Sequence, residues 1–403
     1  MKSDWRTYTV QELIDEGMLD EPLDGNHGSI HPKASDYVSS GVPFIMANNL
    51  VNGKVDYANC AFITETQAST LRKGFAKPGD VLLTHKATIG RTAIVDDEYE
   101  TIILTPQVTY YRVKKGISNR YLKYYFDSSV FQKLFSNWAG AGSTRAYLGI
   151  TAQRKLPIVL PPYDVQLKIA KCCGALDDKI YHNQQINDNL QQQALSVFRK
   201  AFINIKGLPS SWTKGCLLDI ADYLNGLAMQ KFRPSENAIG IPVLKIKELR
   251  QGSCDASSEL CSPSIKTEYI IHDGDVVFSW SGSLLVDIWC GGTCGLNQHL
   301  FKVTSKTYDK WFYYLWTAHH LERFIAIAAD KATTMGHIKR EELSKAEVVI
   351  PSQNDYEKIG AVLQPMIDLI IANRIESKKL ATLRDELLPK LMSGEIDMSE
   401  VEI

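Results

Sequence analysis

Pro161-Pro162-Tyr163 is the triplet in this chain that most suggests chemistry. In DNA amino-methyltransferases such a triplet follows an Asn or Asp whose side chain accepts from an exocyclic amino group. Here Leu160 precedes it and can accept nothing. A second copy of the surrounding pattern reads Ile350-Pro351-Ser352-Gln353, so only the first Pro recurs, and a strand stopping ahead of a helix explains both. No Gly-x-x-x-x-Gly-Lys-Ser/Thr run is present to cradle a nucleotide phosphate. Gly140-Ala141-Gly142 lacks the strand-before, helix-after setting of a dinucleotide site. Cys290 and Cys294, with His299 nearby, lack the second ligand pair that a structural zinc requires, and buried thiols are the simpler reading. Asp80 and Asp275 sit in turns, where capping accounts for them. The reading is of a chain that is not an enzyme, with no metal and no cofactor.

Polar and basic side chains on recurring loops are left, and these suit readout of base edges with cations nearby on phosphate. One loop follows a Gly-Asp turn and strand: Thr84, His85, Lys86, Thr88 and Arg91 in the first half, Ser279, Trp280, Ser281 and Ser283 in the second. The other lies between an aromatic helix and a final strand. It holds Gly140, Gly142, Ser143, Thr144, Arg145 and Tyr147, matched by Lys331, Thr333, Thr334 and His337. Gln107 and Asn297-Gln298-His299 open equivalent strands and could supply amide contacts. For any single residue a turn or surface role is the plainer alternative; as groups, the loops are expected to touch DNA. The copies differ at these points, Arg145 against Met335 and His85 against Trp280, which implies two different half-sites rather than a palindrome.

These loops depend on a unit used twice at an offset of about 190 residues, too long for a solenoid repeat. Tyr121-Leu122-Lys123-Tyr124-Tyr125-Phe126 aligns with Trp311-Phe312-Tyr313-Tyr314-Leu315-Trp316, and Leu156 to Pro161 with Ala346 to Pro351. Val81–Thr84, Val108–Val113 and Val276–Ser279 read as strands from their β-branched and aromatic content, while Asn119–Trp138 and Tyr308–Ala329 read as helices. Each α+β segment ends in a Val/Ile-rich strand stopped by Pro161 or Pro351. A long helix follows each. Ser352 and Asp355 have capping-box spacing, Asp164 can cap the first helix, and Gly394 can stop the second.

Both helices carry a heptad stripe. The first runs Ile169, Cys172, Leu176, Lys179, Asn183, Ile186, Leu190, Gln193, Val197. The second runs Ile359, Val362, Met366, Leu369, Asn373, Glu376, Leu380, Leu383, Leu387. Connectivity lets the stripes cover each other if the second helix returns antiparallel to the first, with Asn183 and Asn373 suited to fixing register. The expected architecture is two similar α+β domains joined by a two-helix antiparallel coiled coil with a pseudo-two-fold axis. The segments are 1–160, 161–206, 207–350, 351–395 and an acidic tail, 396–403.

Of 403 residues, 44% are hydrophobic and 23% charged, enough for at least two cores. A net charge of −1 neither announces nor excludes nucleic acid, so any DNA binding must use local patches. No run of some 18 apolar residues suggests a membrane span, and the start Met1-Lys2-Ser3-Asp4-Trp5 has no apolar signal-peptide core. The eight scattered cysteines fit reduced thiols in a cytoplasmic protein.

Lys77-Pro78-Gly79-Asp80-Val81-Leu82-Leu83 and Asp273-Gly274-Asp275-Val276-Val277-Phe278 open matching strands, and residues 156–161 run into a coiled coil. With the C-terminal run from Leu380 to Ile396, this order resembles the specificity (S) subunit of type I restriction–modification systems over essentially the whole chain. The resemblance implies two target-recognition domains, each reading half of a split sequence in double-stranded DNA. It implies helices that set spacing and dock two modification (methyltransferase) subunits, with restriction (endonuclease/translocase) subunits completing the complex. Methylation and cleavage would belong to those partners. A specificity chain of another restriction type, a stand-alone DNA-modifying enzyme and a two-headed protein scaffold stay open as alternatives.

Overall fold

Two equivalent turns start the two central strands. Gly79 and Gly274 take φ of +87° and +91°, a left-handed conformation that glycine adopts without a Cβ penalty. The Lys77 and His272 amides then donate to the Asp80 and Asp275 carboxylates, each at 2.8 Å. Each aspartate is also held by a cation, Arg112 at 2.7 Å in one copy and Lys302 at 2.8 Å in the other. The computed structural model describes residues 4–140, 146–236, 239–330 and 337–401. Two units make up the chain, residues 1–178 with 381–403, and residues 179–380.

In the first unit one sheet has the order Leu23–Asp24, Val108–Tyr111, Val81–Lys86, Thr88–Ile94. A second has the order Ala61–Ile63, Val42–Ile45, Ile102–Leu104, Phe75–Ala76, its inner pair parallel. Arg6–Thr9 pairs antiparallel with Pro157–Leu160. The second unit repeats all three arrangements. Asp222–Asn225, Leu300–Thr304, Val276–Ser279, Leu285–Ile288 form one sheet, and Leu260–Cys261, Ile241–Leu244, Cys294–Leu296, Ile270–Ile271 the other, again with a parallel inner pair. Thr213–Cys216 pairs with Glu347–Ile350. Gly25 and Gly226 mark the same close crossing: a Cβ would stand 1.9 Å from the Leu104 carbonyl oxygen in one and 2.2 Å from that of Asn297 in the other.

The aromatic helices are each interrupted, which their composition did not reveal. Asn119–Asp127 and Ser129–Gly140 are separated by Ser128, whose ψ of 141° is extended and whose hydroxyl donates to the Tyr125 carbonyl at 2.7 Å. Lys310–His319 and Leu321–Asp330 are separated by His320, whose Nε2 lies 2.8 Å from the Glu347 carbonyl. Tyr121, Phe126, Phe131 and Phe135 then pack one core, and Trp311, Phe312, Trp316 and Phe324 the other.

Each unit also takes part of both long helices, Tyr163–Phe198 and Gln353–Ser393. The second begins with the anticipated cap, Ser352 Oγ donating to Asp355 at 2.8 Å, and ends at Gly394 with φ +74°. In the first unit Ile169 and Cys173 share a core with Leu388, Leu391 and Met392; Arg384 meets Asp177 at 2.6 Å and Lys168 donates to the Ser399 carbonyl at 2.7 Å. In the second unit Ala194 and Phe198 share a core with Leu363, Ile367 and Ile370. There Asn373 donates to Asn187 at 3.0 Å and Asn183 donates to Glu376 at 2.7 Å. Partner numbers fall on one helix as they rise on the other, so within each unit the pairing is antiparallel.

The stripe differs from the expected one at four of its alternate positions, while Lys179 and Glu376 meet across the helices at 3.2 Å as that stripe places them. Val362, Leu369, Leu383 and Ile186 are 45%, 46%, 44% and 44% exposed, while their neighbours Leu363, Ile370, Arg384 and Asn187 face the partner helix. The alternation is four-then-three rather than three-then-four. Apolar residues stand at both candidate positions in several turns, so spacing alone does not choose between them.

Candidate nucleic-acid interface

In the first unit the strand Val81–Lys86 projects its end between two other segments. The His85 amide donates to the Gln107 carbonyl at 2.9 Å, and the His85 carbonyl accepts from Leu148 at 3.0 Å. Lys86 then bridges antiparallel to Tyr147. Ala87 turns the chain at φ +64°, a left-handed conformation unusual for a residue with a Cβ, and its amide donates to the Ala146 carbonyl at 3.0 Å. Strain of this kind persists only where its surroundings hold it, and it clusters at functional loops. Lys86, Thr88, Arg91 and Tyr147 face outward and Gln107 is half-buried. The Lys86 ammonium lies 5.8 Å from the Tyr147 ring centre.

Thr84 and His85 face inward, which the sequence reading did not anticipate. Thr84 Oγ1 accepts from the Arg91 amide at 2.9 Å, so it shapes the hairpin that presents Arg91. His85 is fully buried; its Nδ1 lies 3.1 Å from the Leu148 carbonyl and its Nε2 3.8 Å from Asp24. Burial pushes the imidazole down to about 4 against the pull of Asp24, leaving it neutral at pH 7. Asp24 also meets the nearby His27 and the distant Lys73, and the separation of Lys73 and His85 from Asp24 in sequence gave no sign of this cluster.

The second unit repeats this lacing with other side chains. The Trp280 amide donates to the His299 carbonyl at 3.4 Å, the Trp280 carbonyl accepts from Ile338 at 3.1 Å, and Ser281 bridges antiparallel to His337. Trp280 therefore stands where His85 stands, and His337 where Tyr147 stands. The indole is half-buried, its Nε1 donates to Asn225 at 2.9 Å, and the rings of His299 and His337 lie 6.1 and 6.2 Å away. Ser281 Oγ lies 3.0 Å from His299 Nδ1. Ser279, Ser281 and Asn297 are buried. Ser279 Oγ donates to the Ser281 carbonyl at 3.2 Å and Asn297 Oδ1 accepts from the His299 amide at 3.2 Å, so both hold the loops. Gln298 and His299 are half-buried, and Ser283 and His337 are exposed. Ser143, Thr144, Arg145, Lys331, Thr333 and Thr334, with Gly142, lie outside the described residues.

Both outward faces offer hydrogen-bonding groups and aromatic rings, and the first adds the cations Lys86 and Arg91. Among the described residues no group of His, Cys, Asp and Glu is placed to hold a metal ion, and no helix is long and apolar enough to cross a membrane. All eight cysteines are free thiols.

Fold and loops together define a duplicated α+β protein whose two units carry equivalent loop clusters and share a pair of antiparallel helices. The family model for the type I restriction modification DNA specificity domain matches this chain twice, over residues 3–192 and 209–383, and the chain belongs to that family. It is similar to the type I restriction enzyme MjaIX specificity subunit of Methanocaldococcus jannaschii, 27% identical over 399 residues, covering 92% of this chain and 90% of that one. It is also similar to the HindI specificity subunit of Haemophilus influenzae, 20% identical over 494 residues, covering 98% and 100%. Among solved structures, the S subunit of a type I restriction-modification system from M. genitalium shares the fold, with a TM-score of 0.58 at 12% identity over 97% of this chain and 98% of that one. Membership makes this chain a recognition component, not an enzyme.

Proposed function

We propose that this chain is the DNA sequence-specificity subunit of a type I restriction–modification complex acting in the cytoplasm. Residues 1–160 and 207–350 are its target-recognition domains, and each reads one half of a bipartite target in double-stranded DNA. The helical segments 161–206 and 351–395 set the distance between the halves and dock two modification subunits, with restriction subunits joining the assembly. The observation that carries this reading is the repeated lacing around His85 and Trp280. One scaffold presents Lys86, Arg91 and Tyr147 in the first copy and Trp280, His299 and His337 in the second. Identical supports with different outward side chains suit two unlike half-sites.

Lys86 and Arg91 fit phosphate or guanine contacts, while Gln107 and Gln298 have the amide geometry that pairs with adenine. Thr84, His85, Ser279, Ser281 and Asn297 act behind them by holding the loops. Ser143, Thr144, Arg145, Lys331, Thr333 and Thr334 belong to the segments proposed to complete each reading surface. Mapping methylated positions in genomic DNA from cells with and without this gene tests the proposal. A split motif that disappears with the gene is expected; a methylation pattern indifferent to the gene overturns it. Copurification of separate modification and restriction chains, rather than one fused partner, distinguishes type I from other restriction types.

A further inference from the structure

The loop cluster of the second unit opens into a cleft of about 440 Å³ whose lining includes Gln230, Arg233, Lys245, Lys247, Gln298 and His299. Sequence spacing could not assemble it, because its walls come from four separate stretches, around residues 230–233, 245–247, 259 and 297–299. The parallel pairing of Ile241–Leu244 with Cys294–Leu296, Leu244 beside Leu296, brings the residues that follow both strands to one sheet end. Lys245 and Lys247 thus stand opposite Asn297-Gln298-His299. Glu259 enters from a third stretch and organises the rim: Lys245 lies 2.5 Å and Arg233 3.2 Å from its carboxylate. Lys247 is held by Asp255 at 3.4 Å and Ser257 at 2.8 Å. Three cations are thus opposed by two carboxylates, Glu259 and Asp255, leaving an excess of one positive charge.

Ser281 holds His299 Nδ1 at 3.0 Å, which turns the other ring nitrogen toward Gln298, 3.4 Å from its amide nitrogen. The same His299 ring reaches Trp280, so the cleft is continuous with the loop cluster. In the first unit Ile45 and Leu104 occupy the places of Leu244 and Leu296. Met46, Asn48 and Pro106 therefore stand where Lys245, Lys247 and Gln298 stand. The first copy thus lacks the two rim lysines and carries its amide one place further on, Gln107 standing where His299 stands.

We infer that this cleft is the base-reading pocket for one half of the target, with Gln298 pairing to an A·T base pair in the major groove and His299 setting its orientation. Arg233, Lys245 and Lys247 hold the flanking phosphates. The chemistry is that of a carboxamide, which offers one donor and one acceptor to adenine N7 and N6, beside cations that release counterions on binding. The inference deepens the proposed function and rests on it.

The test uses the full chain expressed with its partner subunits, with methylated motifs mapped genome-wide. Gln298→Ala is expected to relax one base pair in one half of the motif, by roughly ten- to a hundredfold in relative occupancy, leaving the other half and the gap unchanged. Gln298→Glu keeps the shape but offers only acceptors, and moves the preference at that position toward C·G. Lys247→Ala leaves the motif intact and lowers the slope of log affinity against log salt by about 1. An unaltered motif with both Gln298 variants overturns the inference, as does relaxation confined to the other half. If deleting the gene leaves methylation unchanged, the specificity reading itself fails. If deletion abolishes the motif while the Gln298 variants leave it intact, only the pocket assignment fails.

Discussion

His85 shows how a residue that looks like a reader can be a support. Its position on a central strand and next to Lys86 was legible, but its burial was not, because Asp24 and Leu148, which close over the ring, come from distant segments. Neutral burial has a measurable consequence. The folded-state value lies near 4 and the ordinary value near 6.5, so between these pH values the unfolded chain binds the proton and the folded chain does not. Stability is full above about pH 6.5 and declines as pH falls toward 4, by on the order of 3 kcal/mol for this group. Asp24 and the Leu148 carbonyl oppose this depression, whereas Lys86 and His27 add to it. Urea unfolding should show the wild-type chain losing about 2 kcal/mol more than His85→Gln between pH 7 and pH 5. Equal losses would mean that the ring is already charged or exposed.

The long helices were evident as elements, from their caps, length and heptad spacing. Their facing residues were only half evident. Positions such as Ile169, Asn183, Leu190 and Asn373 were assigned to the seam, but Val362 and Leu369 were chosen over Leu363 and Ile370, and Ile186 over Asn187. Where a β-branched or leucine side chain stands beside another apolar residue, a one-residue shift rotates the stripe by about 100° without changing its period. Burial resolves the choice, with Leu363 at 0%, Ile367 at 1% and Ile370 at 2% exposure against 46% for Leu369. Ile367→Ala should cost about 2–5 kcal/mol by the loss of packed methylenes and the cavity left behind. Leu369→Ala should cost less than about 1 kcal/mol. Chemical denaturation distinguishes the two, and a reversed order would return the seam to its first assignment.

Duplication governs the whole molecule. One topology, written twice with different loop side chains, gives a single chain two unlike loop surfaces, the two proposed reading heads. The helices are the proposed spacer, and that is testable by insertion. One heptad added to both helices at matched levels keeps the apolar stripe nearly in phase, drifting about 20° per heptad, and adds roughly 10 Å of rise. The unread gap of the methylated motif should lengthen by no more than about three base-pair steps while both halves stay the same. A constant gap removes the helices from the spacing role.

The order of residues along this chain was enough to reveal the repeat, the strands after each Gly-Asp turn, the paired long helices and the family. Those signals are periodic or local, and a few adjacent residues carry each one. Which side chains look outward, which heptad neighbour enters the seam, and that Arg233, Lys245 and Gln298 share one cleft came only with folding. Sheet pairing sets the loops and the cleft and helix packing sets the seam, and in each case the segments that meet lie far apart in sequence with no local mark of their contact.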